Sequence, residues 1–468
     1  MSKRKQDKNE EPPPPRWPKH LKYMKSSIVA KPPYCQGTLT LPDSDFTLFY
    51  GPEGHAHRIN LSTASAEQLQ HLADTCAPAT FGVAGEDVYD ESYRKAGKLD
   101  NKDFSITFDG RSSRLAEAVR TELLLENPMR VKSQDLKMEL YKLNVYGKDA
   151  FFKAHVDTPR SELMFGSLVI VFPTPHEGGA LKLRAAGRHE GETLEWTFDS
   201  SSLLAQQEHP SIAYVAFFSD VEHEVMPVIS GHRVTITYNL YYPTNESAPS
   251  TELNQISTNE QSFQEALKAA LRDPSFLPTG GNLMFGLRHQ YPLATSYKSG
   301  SKEEKEAAKA ALRALEPRLK ASDGVILKVL RANALDASLR ILYEARWSQW
   351  DSHNSYVMAD RVLPLPDAGS MVMKGAAEYL VAVGGELVED AVSLAERLEK
   401  RTRTYYDEWD KATPVYWVTD HPYLQTGPEP FKRTIKTYGN EPTLDVVYWR
   451  VWILARVGPP GLRAIVVA

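Results

Sequence analysis

Two histidines and one carboxylate have the residue types and spacing that best suit metal chemistry. His155 and Asp157 stand two positions apart in a stretch of strand-like composition, and His223 opens another such stretch, SDVEHEVMPV. Residues i and i+2 of a strand point to one face, so the imidazole and the carboxylate should project side by side. Two imidazoles and a carboxylate on one side of a metal leave coordination positions open, as in non-haem Fe(II) oxygenases. The pattern therefore predicts an iron site.

Arg233 supports this prediction. It follows a turn at Ser230-Gly231 and begins the strand-like run RVTITYNLYY. Two antiparallel strands joined by that turn would bring Arg233 close to the metal. Because a guanidinium can bind a carboxylate through two parallel hydrogen bonds, Arg233 and Thr235, on the same face of the strand, are expected to hold the distal carboxylate of a dicarboxylic cosubstrate.

Each of these residues also has a structural alternative. His155 and Asp157 fit a surface strand pair, and His223 fits a buried histidine whose ring is bonded to the backbone. Arg233 fits a plain ion pair with Asp220 or Glu222, and β-branched Thr235 is favoured in any strand. A further histidine, His176 in PTPHEGG, is predicted to lie in a solvent-exposed hairpin turn rather than to bind metal.

Two segments carry a family resemblance: YGKDAFFKAHVDTPRSELMFGSLVIVFPTPHEGGALKL and FFSDVEHEVMPVISGHRVTITYNLYY. They resemble the iron- and 2-oxoglutarate-dependent dioxygenases, and within these the prolyl-4-hydroxylase-like branch, in the form found in uncharacterised fungal proteins. The resemblance implies a double-stranded β-helix (jelly roll) that uses Fe(II), 2-oxoglutarate and O2 and releases succinate and CO2. It also implies catalytic roles for His155, Asp157 and His223 as metal ligands and for Arg233 as the 2-oxoglutarate arginine, with Tyr146 as a second 2-oxoglutarate contact.

Two departures narrow the resemblance. The collagen-type branch has lysine where this chain has Arg233, and the branch that demethylates nucleic acids has a second arginine where this chain has Asn239. Both departures point away from those substrates, and neither identifies the substrate of this chain.

Composition and patterning set the organisation of the 468 residues. Hydrophobic residues make up 42%, so most of the chain can bury a core, and two cysteines exclude a disulfide framework. We predict an α+β fold with flanking helices around the jelly roll. In its C-terminal region, 302–321 and 386–409 are predicted helices and 325–331 is strand-like. The predicted units are a disordered basic and Pro-rich tail (1–34), an N-terminal support of helices and strands (35–135), the jelly-roll core (136–243), a linker (244–263) and a mixed α/β region (264–468).

These features favour an oxygenase that hydroxylates an unactivated C–H bond, with a peptidyl proline as first candidate substrate. The alternatives are a small-molecule oxygenase of fungal metabolism and a non-catalytic jelly-roll binding or scaffold protein. A net charge of −5 argues against nucleic acid as a partner. No long apolar run and no secretory signal are seen, so a cytoplasmic or nuclear protein without a membrane partner is expected.

Overall fold

The computed structural model describes residues 17–29, 31–83, 86–110, 114–127, 136–186, 193–243, 257–294, 301–346, 354–364, 376–399, 411–419 and 446–463. The helices in these ranges are α1 (Trp17–Ser27), α2 (Ala66–Thr75), α3 (Leu115–Leu123), α4 (Ser200–Ala205), α5 (Thr258–Arg272), α6 (Lys302–Arg313), α7 (Ala321–Ala332), α8 (Ala376–Ala382) and α9 (Ala391–Glu399). In this part of the chain, no helix combines the length and the apolar character needed to cross a bilayer. The predicted cytoplasmic or nuclear location stays a prediction.

The strands divide between the two halves of the chain. The N-terminal half contains β1 (Tyr34–Thr40), β2 (Thr47–Tyr50), β3 (His57–Asn60), β4 (Ala77–Pro78), β5 (Phe81–Val83), β6 (Glu86–Val88), β7 (Arg94–Lys95), β8 (Gly97–Asp100), β9 (Phe104–Ile106), β10 (Lys137–Tyr146), β11 (Phe151–His155), β12 (Met164–Val171), β13 (His176–Gly178), β14 (Leu181–Ala186), β15 (Thr193–Phe198), β16 (Ser211–Phe218), β17 (Glu222–Val225), β18 (Val228–Gly231) and β19 (Arg233–Tyr241). The C-terminal half contains β20 (Gly281–Ala294), β21 (Asp336–Arg346), β22 (Asn354–Ala359), β23 (Glu386–Asp390), β24 (Thr413–Trp417) and β25 (Val446–Val457).

The N-terminal half is a jelly roll of two facing sheets. The larger sheet has the order β1-β16-β12-β19-β10-β8-β4 and the smaller one β15-β14-β17-β11-β7. Between β10 and β19, the larger sheet takes β10, β12, β16 and β19, the smaller sheet takes β11, β14, β15 and β17, and β13 and β18 form a separate pair. Two facing sheets built from one stretch of chain in this way are the arrangement of a double-stranded β-helix. Both faces of β12 are covered: Ser167 and Val169 point between the two sheets, and Leu168 and Ile170, on the opposite face, are completely buried.

The segment before β10 extends both sheets. β1 pairs with β16 at one edge of the larger sheet, and β8 pairs with β10 on its other side. β7 pairs with β11 in the smaller sheet. Helix α2 begins with a capping box, because Ser65 and Gln68 each accept a hydrogen bond from the other's backbone N–H. These elements therefore brace the strand that ends at His155. The predicted boundaries of the folding units remain predictions.

The C-terminal half is a closed six-stranded barrel with the order β20-β24-β23-β22-β21-β25. Two predictions in it are wrong. Residues 325–331 lie in helix α7, which is buried on almost every side and so lacks the polar face that distinguishes a helix from a strand in sequence. The predicted helix 386–409 begins as strand β23, because Leu387 and Val388 pair with β22; α9 follows, and residues 400–409 lie outside the described residues.

The prediction of a disordered tail over residues 1–34 is wrong for its second part. Residues 17–27 form helix α1, and Met24 is completely buried in the core of the C-terminal half. His20 Nε2 lies 2.9 Å from the carboxylate of Asp273. Charged residues and prolines dominate the composition of residues 1–34, which is why the stretch was predicted to be disordered. Its few apolar residues, such as Leu21 and Ile28, pack against the core of the C-terminal half. Residues 1–16 lie outside the described residues.

The predicted linker 244–263 is also shorter than expected. Helix α5 already begins at Thr258, where the side chain of Ser257 accepts a hydrogen bond from the Glu260 N–H and so caps the helix. Residues 244–256 lie outside the described residues.

We expect Met24→Ala to destabilise the protein by about 2–5 kcal/mol, because a fully buried methionine loses its packing and leaves a cavity. Chemical denaturation measures the change, with exposed Lys22→Ala as the control. Equal stability of the two variants would show that α1 does not contribute to the core.

Candidate active site

The two predicted histidines meet across neighbouring strands of the smaller sheet. His155 is the last residue of β11 and lies directly opposite His223 of β17 in the ladder. Their ring centroids are 4.1 Å apart. Asp157 lies just beyond the end of β11 rather than within it, and its Oδ1 is 3.7 Å from His223 Nε2. One candidate ligand atom from each of the three buried residues lies within 4.8 Å of the others, so the triad could hold a metal ion.

Backbone contacts fix how the two imidazoles are presented. His155 Nδ1 lies 2.8 Å from the carbonyl oxygen of Lys153, and His223 Nδ1 lies 3.1 Å from that of Val221. An Nδ1–H that donates to a carbonyl leaves the Nε2 lone pair free for a metal. Burial, and then the neighbouring His223, lower the pKa of His155 well below its usual value. His155 is therefore neutral at physiological pH, which is the form that binds metals.

Ser167 orients the carboxylate of the triad. Its hydroxyl donates a hydrogen bond to Asp157 Oδ2, and both residues are buried. This bond leaves Asp157 Oδ1 on the side of His223. The sequence offered no signal for Ser167, because a serine within an apolar strand looks like any small residue.

We expect Ser167→Ala to weaken Fe(II) affinity by about 10–100-fold, the usual effect of removing a hydrogen-bond partner of a ligand. Equilibrium titration with Fe(II) under anaerobic conditions measures it. Ser211→Ala is a control, since this buried serine bonds Thr40 and the His209 carbonyl instead. Equal affinities of the two variants would contradict the role of Ser167.

Arg233 is buried without a partner for its charge. It is only 1% exposed, and its Nε and Nη2 have no hydrogen-bond partner among the described residues. Burial lowers the pKa of Arg233 to about 10, so the group is still a cation at neutral pH. Buried charges are normally paired, because desolvation without compensation is costly. This unpaired guanidinium therefore fits an acidic ligand that enters from outside the chain.

The structure rejects the alternative of a plain ion pair for Arg233. Asp220 is paired with Lys320 and His289, and Glu222 lies 3.4 Å from Arg184. The predicted strand connection that would bring Arg233 close to the metal is also wrong. β17 and β19 are not joined as a hairpin, since they belong to opposite sheets and the intervening β18 pairs with β13. Arg233 consequently approaches from the sheet opposite the two histidines.

All six predicted site residues line the same pocket, whose members include His155, Asp157, His223, Arg233, Tyr146 and Thr235. Tyr146 ends β10 opposite Arg233 in the ladder, and the guanidinium carbon lies 5.5 Å from the centre of its ring. The Thr235 hydroxyl is buried and lies 3.4 Å from the Asn144 carbonyl. The pocket thus joins a possible metal centre to a cation with two hydroxyl groups beside it.

Sequence reasoning missed several pocket residues. Phe152 stacks on His155 with ring centroids 3.6 Å apart. The guanidinium carbon of Arg94, which β7 brings in, lies 4.3 Å from the centre of the Phe152 ring, and Arg94 donates a hydrogen bond of 2.9 Å to Asn144 Oδ1. Arg94 lies far from β10 in sequence, so only the sheet pairing reveals it.

His176 is not part of the triad. It lies in strand β13 rather than in an exposed hairpin turn, half-buried, with its Nδ1 2.7 Å from the Thr174 carbonyl and its Nε2 3.3 Å from the Ser200 hydroxyl. The expectation of a solvent-exposed turn is therefore wrong, because β18 supplies a pairing partner.

Comparison with known proteins locates a family domain over this site. Residues 141–241 match the model of the 2OG-Fe(II) oxygenase superfamily. No curated protein matches the chain in sequence.

Similar solved structures include three oxygenases. A Pseudomonas putida prolyl-4-hydroxylase is 18% identical, with 47% of this chain and 98% of that chain covered and a TM-score of 0.26. A Burkholderia pseudomallei 2OG-Fe(II) oxygenase is 13% identical, with 48% and 81% covered and a TM-score of 0.21. A Trichoplax adhaerens prolyl hydroxylase, in complex with a hypoxia inducible factor peptide fragment, is 16% identical, with 48% and 91% covered and a TM-score of 0.24.

The family domain spans both histidines, the carboxylate between them in sequence and the buried arginine. The superfamily uses Fe(II), 2-oxoglutarate and O2, and a cluster of two histidines and one aspartate suits Fe(II). The chain therefore contains a domain of the 2OG-Fe(II) oxygenase superfamily, over residues 141–241, and this domain is that of a 2-oxoglutarate-dependent dioxygenase.

Proposed function

We propose that His155, Asp157 and His223 hold Fe(II) and that Arg233 binds the distal carboxylate of 2-oxoglutarate. The observation that carries this proposal is the buried guanidinium of Arg233, which has an unpaired charge in the same pocket as the triad. When bound with 2-oxoglutarate, Fe(II) supplies the activation of O2 that oxidises a C–H bond. In the balanced reaction, one oxygen atom of O2 enters the substrate as a hydroxyl group and the other enters succinate, and CO2 is released.

The side chains around the metal prepare the site in three ways. The two imidazoles face backbone carbonyls with Nδ1, which leaves Nε2 of each ring available to the metal. Arg233 would hold the distal carboxylate of 2-oxoglutarate through its guanidinium N–H groups, and the hydroxyls of Tyr146 and Thr235, which line the same pocket, would add hydrogen bonds. Apolar neighbours such as Phe217 and Val225 exclude water, which strengthens each of these polar contacts.

We propose that the domain hydroxylates an unactivated C–H bond of a peptidyl proline. The segments that carry Tyr146, the triad and Arg233 resemble the prolyl-4-hydroxylase-like branch in sequence, which supports a peptide. Apolar wall residues of the pocket, among them Val169 and Leu181, suit a carbon-rich group such as a pyrrolidine ring.

Succinate release tests the proposal. The purified full chain, with Fe(II) and 2-oxoglutarate, is offered a pool of proline-containing peptides and, separately, a pool of small metabolites, with and without O2. We expect the peptide pool to raise O2-dependent succinate release above the level measured without peptides. A proline of the peptide that reacts should gain the mass of one oxygen atom. Stimulation by metabolites alone would overturn the peptide substrate, and no succinate under any condition would overturn the proposed reaction.

A further inference from the structure

A buried ionic cluster joins the jelly roll to the C-terminal barrel. Asp220, in the loop between β16 and β17, lies 2.7 Å from Lys320 Nζ and 3.1 Å from His289 Nδ1. It also accepts a hydrogen bond of 2.9 Å from the Gln290 N–H. The side chains of Asp220, His289 and Lys320 are each at most 7% exposed. The cluster is thus part of a closed interface between the two halves.

An irregularity in β20 explains why the barrel needs this carboxylate. The pairing of β20 with β25 shifts register between Gly286 and Gln290, which frees backbone N–H groups that regular pairing would have satisfied. Asp323, from α7 of the barrel, accepts from the Arg288 and His289 N–H groups at 3.0 Å each. Asp220, from the jelly roll, accepts from the next one, Gln290. Asp220 therefore supplies, from the other half of the chain, the acceptor for one N–H group in the irregular part of β20.

The same loop leads directly to the candidate metal ligand His223. Phe217 precedes Asp220 and its ring lies 4.7 Å from the His223 ring. Phe218, between them, contacts His289 with ring centroids 4.8 Å apart and lies 5.4 Å from Lys320 Nζ. Val221, the residue after Asp220, provides the carbonyl that orients the His223 ring. A continuous series of contacts thus runs from the barrel through the loop to one imidazole.

The charge of Asp220 depends on its two neighbours in the cluster, Lys320 and His289. Burial alone would raise the pKa of Asp220, but Lys320 and His289 outweigh burial and hold this pKa well below its usual range. A buried ion pair adds little net stability compared with apolar side chains of the same shape. What the pair does provide is one defined position for the loop, since only that position satisfies both charges and the Gln290 N–H.

We propose that the C-terminal barrel positions His223 for metal binding, with Asp220 as the positioning residue that connects the barrel to residues 217–223, the end of β16, the loop after it and the start of β17. This inference depends on the proposed role of His223 as an iron ligand. It assigns a task in the reaction to residues 264–468, whose sequence alone predicted no role.

Co(II) titration of the full-length protein tests the inference, because Co(II) is a spectroscopic stand-in for Fe(II) and needs no turnover. The test variant is the double substitution Asp220→Ala/Lys320→Met, which removes the carboxylate without leaving a buried unpaired cation. The matched control is Asn127→Ala. Buried Asn127 also joins the two halves, because it donates to the Leu319 carbonyl of the C-terminal half at 3.0 Å as well as to the Tyr242 hydroxyl at 3.1 Å, and neither partner lies in residues 217–223.

We expect the double variant to bind Co(II) about 10–100-fold more weakly, as for loss of a group that orients a ligand, with altered visible absorption of the bound ion. Asn127→Ala should keep the wild-type affinity and spectrum even if its melting temperature falls. If the double variant does not fold, Asp220→Asn/Lys320→Met gives the same test with a smaller loss, because the amide oxygen can still accept from the Gln290 N–H and no buried cation is left unpaired.

Two results separate the possible failures. Wild-type affinity and spectrum in folded Asp220 variants, or an equal loss in Asn127→Ala, would overturn the positioning role and leave the proposed function intact. If the wild-type protein itself binds no Co(II) that depends on Asp157, the proposed function fails first.

Discussion

Asp157→Ala abolishes succinate formation and metal binding together. The carboxylate is the only acidic member of the triad and is 4% exposed, so no nearby described acid can replace it at the metal. We expect Fe(II) affinity to fall by more than the roughly 10–100-fold that loss of an outer partner such as Ser167 costs. Anaerobic Fe(II) titration and 2-oxoglutarate turnover, measured on the same preparation, check both expectations.

A second aspartate provides the control for this experiment. Asp199 caps helix α4 by accepting a hydrogen bond of 3.2 Å from the Ser202 N–H and is not among the pocket residues. Asp199→Ala should lower stability by about 0.5–2 kcal/mol and leave metal affinity unchanged. If Asp157→Ala retained turnover, or if Asp199→Ala lost metal binding to the same degree, the triad would not be the metal site.

Arg233→Met is expected to make the protein more stable and at the same time unable to bind 2-oxoglutarate. In the ligand-free protein the guanidinium is a buried cation whose Nε and Nη2 are unpaired among the described residues. Its replacement by an apolar side chain of similar length should raise the free energy of unfolding, by about 1–4 kcal/mol. Loss of a buried charge-assisted contact to a carboxylate should weaken 2-oxoglutarate binding by about 100-fold or more.

Thermal denaturation with and without 2-oxoglutarate and Fe(II) measures both effects. The wild-type melting temperature should rise when 2-oxoglutarate is added, and that of Arg233→Met should start higher and not respond. Arg184→Met is the control, since Arg184 pairs with Glu195 and Glu224 on the outer side of the smaller sheet. A ligand response in Arg233→Met equal to that of the wild type would exclude Arg233 from cosubstrate binding.

Sequence patterns predicted the components of the site but not the way in which the fold assembles them. His155 and His223 lie opposite each other because β11 and β17 pair, and Arg233 faces them from the other sheet. A sequence shows which strands exist, but pairing between distant strands depends on long-range packing. The hairpin expected between His223 and Arg233 was wrong for this reason, although the residues themselves share the predicted pocket.

Buried polar residues were the least predictable feature. Ser167, Arg94 and Asp220 each satisfy a partner that is distant in sequence, namely Asp157, Asn144 and the irregular part of β20. Local composition carries no trace of such partners. Helix α7 was missed because it is buried on almost every side. Helix α1 does have a local signal, since Leu21, Met24 and Ile28 pack on the C-terminal core at helical spacing, but the surrounding charged residues and prolines masked it.

The most direct test of the central claim is an anaerobic titration of the full-length protein with Fe(II) and 2-oxoglutarate, followed by visible absorption. The proposed site predicts a weak charge-transfer band that forms only when both are present, that is absent in Asp157→Ala and that needs far more 2-oxoglutarate in Arg233→Met. A folded wild-type protein that gives no such band, or a band that persists in Asp157→Ala, would contradict the assignment of His155, Asp157, His223 and Arg233.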